Sequence, residues 1–171
     1  MIKLFFSIII ISLIVSCNLK NEERLSKPLV LKDGLLYADT LSTIPFTGRN
    51  KSRMLDMKIE YDVVAGKKEG DFIIYFPNDK IQMIGYMKQN KNVGEWKYYF
   101  SNGALQTSGF YEDDVPTGKW TWYDEAGRVI EEGEYLNGKR EGEWKNYDTL
   151  GAVDIVRVYK EDKLIDSTKI N

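Results

Sequence analysis

Four stretches of the chain share one pattern: GDFIIYFPND at 70–79, GEWKYYFSNG at 94–103, GKWTWYDEAG at 118–127 and GEWKNYDTLG at 142–151. Each stretch begins with glycine, has an aromatic residue two positions later and a tyrosine five positions later, and ends in a turn residue. The first glycines, Gly70, Gly94, Gly118 and Gly142, follow one another every 24 residues. A fixed period of this length is typical of repeat architectures, in which each unit buries one face on its neighbours.

The repeated unit is predicted to be a β-hairpin. Its halves are rich in aromatic and β-branched residues, and they are divided by the pairs Asn78-Asp79, Asn102-Gly103, Ala126-Gly127 and Leu150-Gly151. No stretch shows helical periodicity over ten residues, and polar loops such as EDDVPTG and LNGKREG return the chain to the next unit. We therefore expect an all-β fold: an elongated, twisted, single-layer antiparallel sheet of repeated hairpins.

The register of these hairpins gives the glycines a physical role. If the turn pairs close two-residue loops, Trp120 pairs with Gly133, Gly118 with Tyr135 and Trp96 with Gly109. Each ring can then lie across a strand that glycine leaves bare. A loop of three or four residues would shift the pairing, and Ala126-Gly127 and Leu150-Gly151 suit such a loop better than a type I′ turn. Structural roles are assigned to Gly70, Phe72, Gly94, Trp96, Gly109, Gly118, Trp120, Gly133, Gly142 and Trp144.

The units at the two ends of the array are irregular. In the fourth unit the residue opposite Trp144 is Arg157, which we expect to make a cation-π contact and give a polar outer edge. Upstream, Pro45 to Gly48 looks like the remnant of a fifth unit, and Val30 to Tyr37 forms a short hairpin on Asp33-Gly34 that would cap the N-terminal edge. The predicted division is 29–69 for the capping hairpin and degenerate repeat, 70–165 for four repeats and 166–171 for a C-terminal tail.

The N-terminus indicates export and lipidation. Residues 1–16 look like a signal peptide, because a short positive segment precedes an apolar run too short to span a membrane. The sequence Ile14-Val15-Ser16-Cys17 resembles the bacterial lipobox, so Cys17 is the expected lipidation site. Residues 17–28 would then be a lipidated N-terminus and flexible tether. These features predict attachment to the bacterial cell envelope, with the leaflet left open; the alternatives are an ordinary secretory signal or an uncleaved anchor helix.

The repeat units resemble the MORN repeat, in the bacterial variant where G-x-W-x-x-Y precedes a glycine turn and a further glycine and tyrosine. Together with the opening DGLLY at 33–37 and PFTG at 45–48, the chain resembles the YwqK-type antitoxins of toxin-antitoxin systems. This resemblance implies a single-layer sheet that binds a partner without catalysis.

Composition excludes most enzyme chemistry. The chain has no histidine and one cysteine, the residue types that carry most acid-base, nucleophilic and zinc chemistry. The carboxylate pairs Asp113-Asp114 and Glu131-Glu132 are expected to be solvated in a loop or to point to opposite faces of a strand. We therefore expect no enzyme activity, no metal and no cofactor. The 24 basic against 26 acidic residues also argue against a nucleic-acid partner.

The candidate binding residues are Tyr99, Trp122, Tyr123 and Tyr147. The tyrosines five positions after each glycine fall on the face opposite the repeated tryptophans, which are expected to form the core. The favoured hypothesis is a non-enzymatic envelope lipoprotein that binds a protein partner, with an antitoxin-like or immunity-like role. The alternative is a carbohydrate-binding, peptidoglycan-binding or envelope-structural module that uses exposed aromatic residues.

Overall fold

The computed structural model describes residues 25–170, and within this range the chain is all-β without a helix. A small two-stranded sheet precedes one large sheet of eleven strands. The strands are β1 Val30–Lys32, β2 Leu35–Tyr37, β3 Gly48–Met54, β4 Met57–Val64, β5 Lys67–Tyr75, β6 Ile81–Lys88, β7 Lys91–Tyr99, β8 Leu105–Glu112, β9 Val115–Tyr123, β10 Val129–Leu136, β11 Lys139–Tyr147, β12 Val153–Lys160 and β13 Lys163–Lys169.

The large sheet is a meander of consecutive hairpins. From β3 to β13 every strand lies beside its neighbours in the chain, and all pairs are antiparallel. The predicted fold class, a long antiparallel sheet built from repeated hairpins, is therefore confirmed.

From β4 to β13, two kinds of connection alternate along the large sheet, while β3 is joined to β4 by the two-residue turn Leu55-Asp56. On one side lie two-residue turns, such as Gln89-Asn90 and Asp113-Asp114, in which both residues have positive φ. This is the type I′ geometry, whose twist matches that of the flanking strands. On the other side lie five-residue turns at 76–80, 100–104, 124–128 and 148–152, closed in the third case by Asp124 N–H donating to Arg128 O over 2.9 Å.

The register deduced for two-residue loops is correct, although these turns are longer than two residues and also longer than the alternative of three or four. The turn around Ala126-Gly127 has five residues instead of two, which by itself would shift the pairing. A bulge at Ile130 offsets the extra residue, because Tyr123 pairs with Val129 while Trp122 pairs with Glu131. The expected pairs Trp120–Gly133, Gly118–Tyr135 and Trp96–Gly109 are therefore present. The same offset occurs at Gln82, Gln106 and Asp154.

The two-residue turns are joined to one another by side-chain hydrogen bonds. Asn90 Oδ1 accepts the backbone N–H of Lys68 over 2.7 Å, and Asp114 Oδ1 accepts that of Asn92 over 2.7 Å. Asp162 Oδ1 accepts the backbone N–H of Arg140 over 2.8 Å. These contacts form a series that we call the turn ladder, and each rung satisfies a backbone donor that the bulged sheet leaves unpaired.

One rung of the turn ladder has neither the side-chain acceptor nor the backbone donor that the other rungs have. Gly138 stands where the other turns of the ladder have Asn or Asp, and its partner in the preceding turn region is Pro116. Proline has no N–H to satisfy, so the missing acceptor leaves no unpaired donor. Only the backbone bond remains, from Gly138 N–H to Pro116 O over 3.0 Å.

The outer edges of the large sheet are partly covered by local contacts. At β3, Ser26 N–H donates to Lys51 O over 2.6 Å, and Ser26 Oγ accepts the N–H of Lys51 over 3.3 Å. At β13, Asp166 Oδ1 accepts the N–H of Ser167 over 2.8 Å. These contacts occupy backbone groups that would otherwise be open to strand addition.

Two details differ from the expectations for the ends of the array. The hairpin β1–β2 forms on Asp33-Gly34, but it contacts the turn at Gly66, where Leu36 N–H donates to Gly66 O over 2.8 Å, instead of covering β3. The stretch 166–171 was expected to be a tail, yet β13 continues through it to Lys169. A strand forms there because its backbone completes the ladder with β12.

Candidate binding surfaces

The sheet has two chemically distinct faces. Trp120 stacks beside Trp122, with ring centroids 5.9 Å apart, so both indoles lie on what we call the indole face. Tyr123 follows Trp122 without a bulge in its own strand and therefore lies on the opposite side. That side, the tyrosine face, carries the recurring tyrosines Tyr75, Tyr99, Tyr123 and Tyr147.

The indole face contains a continuous stripe of aromatic rings. The stripe begins at Tyr61 and ends at Tyr159, and neighbouring centroids lie 5.1 to 6.5 Å apart. Several contacts are edge-to-face, such as Tyr135 against Trp144 at 90°. Its members are Tyr61, Phe72, Trp96, Tyr98, Tyr111, Trp120, Trp122, Tyr135, Trp144 and Tyr159.

The three repeated tryptophans are core residues. Trp96, Trp120 and Trp144 are only 3%, 6% and 3% exposed. The indole N–H of Trp120 donates to Phe110 O over 3.3 Å, and that of Trp144 donates to Glu134 O over 3.3 Å. Trp96 is the exception, since its buried Nε1 has no acceptor within residues 25–170.

Each core indole lies on a glycine of the preceding hairpin, which corrects the expected arrangement. Trp120 pairs in register with Gly133, but its ring covers Gly109, where an added Cβ would lie 2.0 Å from Cδ2. Trp96 covers Gly85 in the same way, and Trp144 covers Gly133. Gly85, which lies one period before Gly109, was not among the residues predicted from the sequence.

The glycines that open the units serve a different purpose. Gly94, Gly118 and Gly142 have φ of +70°, +60° and +69°, and an added Cβ would meet no atom within 4 Å at any of them. Glycine is therefore required there by the left-handed backbone and not by a covering ring. The kink at Gly118 leaves Gly109 facing three residues of β9, which gives the indole room to lie flat.

Cations lie over both ends of the aromatic stripe. Lys68 Nζ is 5.1 Å from the centroid of Phe72, and burial lowers the pKa of this lysine. At the other end, Arg140 lies 4.0 Å from the centroid of Tyr159 and 5.8 Å from that of Trp144. The expected cation-π contact of Arg157 with Trp144 is therefore wrong, since the Arg157 guanidinium donates to Asn146 Oδ1 instead.

On the tyrosine face, the two outer tyrosines are bonded to glutamates. Tyr147 Oη donates to Glu132 Oε1 over 2.8 Å, and Tyr75 makes the equivalent hydrogen bond to Glu60. Burial and the Glu132 hydrogen bond raise the pKa of Tyr147 to about 12. Lys119 is the main cause of a lowered pKa at Glu132, and it lies 2.7 Å from that carboxylate.

The two central tyrosines lack such partners. The positions equivalent to Glu60 and Glu132 are Ile84 beside Tyr99 and Ser108 beside Tyr123. Neither central hydroxyl has a hydrogen-bond partner within the described chain. Both rings are half-buried, so packing holds the rings in place while their hydroxyls have no partner in the fold.

Lysines on the tyrosine face are neutralised by neighbouring carboxylates. Lys97 Nζ lies 2.9 Å from Glu95, and Lys145 Nζ lies 3.4 Å from Glu143. At these two positions the charge of the lysine is therefore offset by a carboxylate. Such exposed pairs stabilise the fold weakly, at roughly 0 to 1 kcal/mol each.

The predicted binding residues do not form one cluster. Tyr99, Tyr123 and Tyr147 lie on the tyrosine face, whereas Trp122 lies between Trp120 and Trp144 on the indole face. Two further aromatics on the tyrosine face escaped the sequence argument: Tyr86 and Phe110, which are 47% and 44% exposed. Their period of 24 residues could have identified them, since both follow a covered glycine directly.

The carboxylate pairs do not converge on a common point. Asp113 and Asp114 form a tight turn, where Asp113 contacts Lys91 and Asp114 belongs to the turn ladder. Glu131 pairs with Trp122, and Glu132 pairs with Thr121, so the two side chains lie on opposite faces. Within residues 25–170, no group of three or more acidic or cysteine side chains is arranged to hold a metal ion.

The predicted signal peptide and the lipidation site Cys17 lie outside the described residues. Among residues 25–170, no helix is long and apolar enough to cross a membrane.

Comparison with solved structures gives partial matches to larger proteins. A mutant of TarM from S. aureus, in complex with fondaparinux, alpha-GlcNAc-glycerol and UDP, is 16% identical with a TM-score of 0.32, and the match covers 71% of this chain and 21% of that chain. A GtfA/B complex bound to UDP and GlcNAc is 12% identical with a TM-score of 0.34, covering 86% and 29%. The chain thus spans less than a third of the length of these proteins. No match was found among curated proteins.

Comparison with protein families identifies the repeat. MORN_2, described as MORN repeat variant, matches residues 68–89, 92–113 and 116–137. These segments coincide with the hairpins β5–β6, β7–β8 and β9–β10, while the similar hairpin β11–β12 lies outside the match. Residues 68–137 therefore contain three tandem MORN repeat variants, a repeat that indicates a binding module.

Proposed function

We propose that the protein is a non-enzymatic binding protein that recognises a protein partner through the tyrosine face. The observation that carries this proposal is a set of aromatics on this face: Tyr86 and Phe110, which are exposed, and Tyr99 and Tyr123, whose hydroxyls have no hydrogen-bond partner within residues 25–170. Aromatic residues are enriched at protein interfaces, and an antiparallel sheet can leave one face to a partner. Because the neighbouring lysines are paired with glutamates, contact would rest on rings and hydroxyls more than on net charge.

Affinity purification from the native host tests this proposal. The full chain, tagged at its C-terminus, would be purified beside a Tyr99→Ala/Tyr123→Ala/Tyr147→Ala variant and analysed by mass spectrometry. A photo-crosslinking residue at position 110 should capture the same protein, whereas one at the exposed edge residue Ile165 should not. Equal recovery with wild type and triple variant would contradict the tyrosine face as the binding surface.

We further propose that the partner is a toxin and that the role is antitoxin-like or immunity-like. The resemblance of the DGLLY and PFTG segments to YwqK-type antitoxins supports this role. Production of the captured partner alone should inhibit growth, and co-production of this chain should restore it. A harmless partner would contradict the antitoxin role while leaving protein binding intact.

Attachment to the bacterial envelope through lipid on Cys17 is part of the proposal. Two or more acyl chains would give stable membrane anchoring. A Cys17→Ala variant should lose incorporation of a labelled fatty acid and leave the membrane fraction. Unchanged labelling in this variant would contradict Cys17 as the lipidated residue.

A further inference from the structure

The indole face carries hydrogen-bonding groups around Trp122 that the fold leaves partly unused. This residue pairs in register with Glu131 on β10, and Glu131 pairs with Asn146 on β11. The three residues thus form one row across adjacent strands, about 10 Å from end to end at roughly 4.8 Å per strand.

Trp122 is a supported platform at one end of this row. Its ring is flanked by Trp120 and Trp144, with centroids 5.9 and 5.5 Å away and interplanar angles of 31° and 39°. Unlike those core indoles, Trp122 is half-buried, and its Nε1 donates to no residue within the described chain. The indole therefore offers an apolar surface and an unused donor.

Glu131 and Asn146 add complementary hydrogen-bonding groups. The Glu131 carboxylate is half-buried and has no hydrogen bond or ion pair within residues 25–170. Asn146 Oδ1 accepts from the Arg157 guanidinium, which fixes the amide and directs its two N–H donors away from that bond. The row thus combines a ring, an acceptor and donors that the fold itself does not use.

We propose that Trp122, Glu131 and Asn146 form a binding site for a neutral saccharide. Sugar rings present an apolar face of C–H groups that suits an indole, and their hydroxyls both donate and accept hydrogen bonds. Recognition of small ligands commonly combines an apolar or aromatic surface with a few oriented polar groups. A cationic ligand suits the row less well, because the positive Arg157 lies at its Asn146 end and offsets the charge of Glu131.

This site is separate from the tyrosine face and does not depend on the proposed protein-binding function. Trp122 and Glu131 lie on one face, while Tyr123 and Glu132, their neighbours in sequence, lie on the other. A single chain can therefore hold a saccharide on one side of the sheet while its other side contacts a protein.

The test is binding of the full chain, purified in detergent, to an array of neutral saccharides from bacterial envelopes, followed by calorimetry with the saccharide retained best. We expect Glu131→Gln and Trp122→Ala to weaken that binding at least tenfold. Trp122→Phe, which keeps a ring but lacks the N–H, should give a smaller loss. Because Glu131→Gln preserves shape, its effect can be read even if Trp122→Ala does not fold.

Two controls make the result specific. Glu134→Gln removes an exposed carboxylate from the same strand on the opposite face and should leave saccharide binding unchanged. The Tyr99→Ala/Tyr123→Ala variant should also bind normally. Absence of binding to every saccharide on the array, or equal losses in Glu131→Gln and Glu134→Gln, would overturn the proposal.

Discussion

At the residue scale, the fold depends on close contact between an indole and a glycine one hairpin earlier. The contact occurs three times, at Gly85, Gly109 and Gly133, and each time an added Cβ would lie within 2.3 Å of the ring. The repeat therefore contains two glycines with different structural roles. One accepts the ring of the next unit, and the other takes the positive φ that brings that ring into position.

Gly109→Ala should destabilise the protein by about 2–3 kcal/mol, the usual cost of overpacking a core. The backbone of Gly109 is outside the left-handed region, so the loss would come from displacement of Trp120. Urea unfolding followed by tryptophan fluorescence measures the effect. Ser108→Ala changes the adjacent residue on the opposite face and should stay within about 0.5 kcal/mol. Equal stability of the two variants would show that the indole is not held tightly on Gly109.

At the element scale, the two-residue turns add hydrogen bonds between successive hairpins to those of the strands. The turn ladder bonds the turns that end in Asn90, Asp114 and Asp162 to the preceding turn region, and Pro116 with Gly138 forms the exception. At this exception both the donor residue and the acceptor residue of the rung are replaced. A second substitution that removes the donor should therefore offset the stability lost when the acceptor is removed.

Asp114→Gly should cost about 1 kcal/mol, since it leaves the backbone N–H of Asn92 without its acceptor. Adding Asn92→Pro removes that donor and reproduces the Pro116–Gly138 rung, so the double variant should recover part of the loss. Thermal unfolding of wild type, both single variants and the double variant gives the coupling energy. A double variant whose loss equals the sum of the single losses would argue against this role of the ladder.

Much of the element scale could be predicted from the sequence because the period is strict. Hairpins, strand order and the pairs Trp120–Gly133 and Trp96–Gly109 follow from spacing alone. The sequence could not predict which of the two neighbouring strands each indole covers. A register gives only the residue opposite the tryptophan, and the ring can lie over the strand on either side. The five-residue turns were missed because a bulge such as Ile130 restores the pairing and hides the loop length. The separation of Trp122 from the tyrosines was not predicted, although the alternation of side chains along a strand could have shown it. The partners of Tyr147 and Arg157 required side-chain geometry.

At the scale of the whole molecule, stability comes from neighbouring hairpins and from a few buried or half-buried carboxylates. Hydrogen bonds from Lys119 and Tyr147 lower the pKa of Glu132 below its ordinary value of 4.5. At Glu60, burial alone would raise the pKa, but hydrogen bonds from Lys58 and Tyr75 outweigh it and lower the pKa. Both groups therefore favour the folded state when ionised.

Their stabilisation should be complete above about pH 4.5 and should be lost as pH falls through the lowered folded pKa values. We expect Glu132→Gln to be about 1–2 kcal/mol less stable than wild type at pH 7, with the difference shrinking in acid as the wild-type carboxylate is protonated. Unfolding in denaturant at a series of pH values between 7 and about 3 measures this convergence. A constant difference across the range would contradict the linkage.

The placement of each indole over the preceding unit also bears on how genes for such proteins change length. Removing residues 92–115, one whole period, would place Trp120 over Gly85, which is covered by an indole in the same way as Gly109. The deletion would also keep the hydrogen bond between Pro116 and Gly138. We predict that this deletion yields a folded, shorter protein by circular dichroism and cooperative unfolding. Removing only 92–103 would reverse the direction of the next strand and should give no folded product. Unequal recombination between repeats can therefore add or remove whole hairpins without designing a new junction, so copy number becomes a heritable variable that selection can adjust.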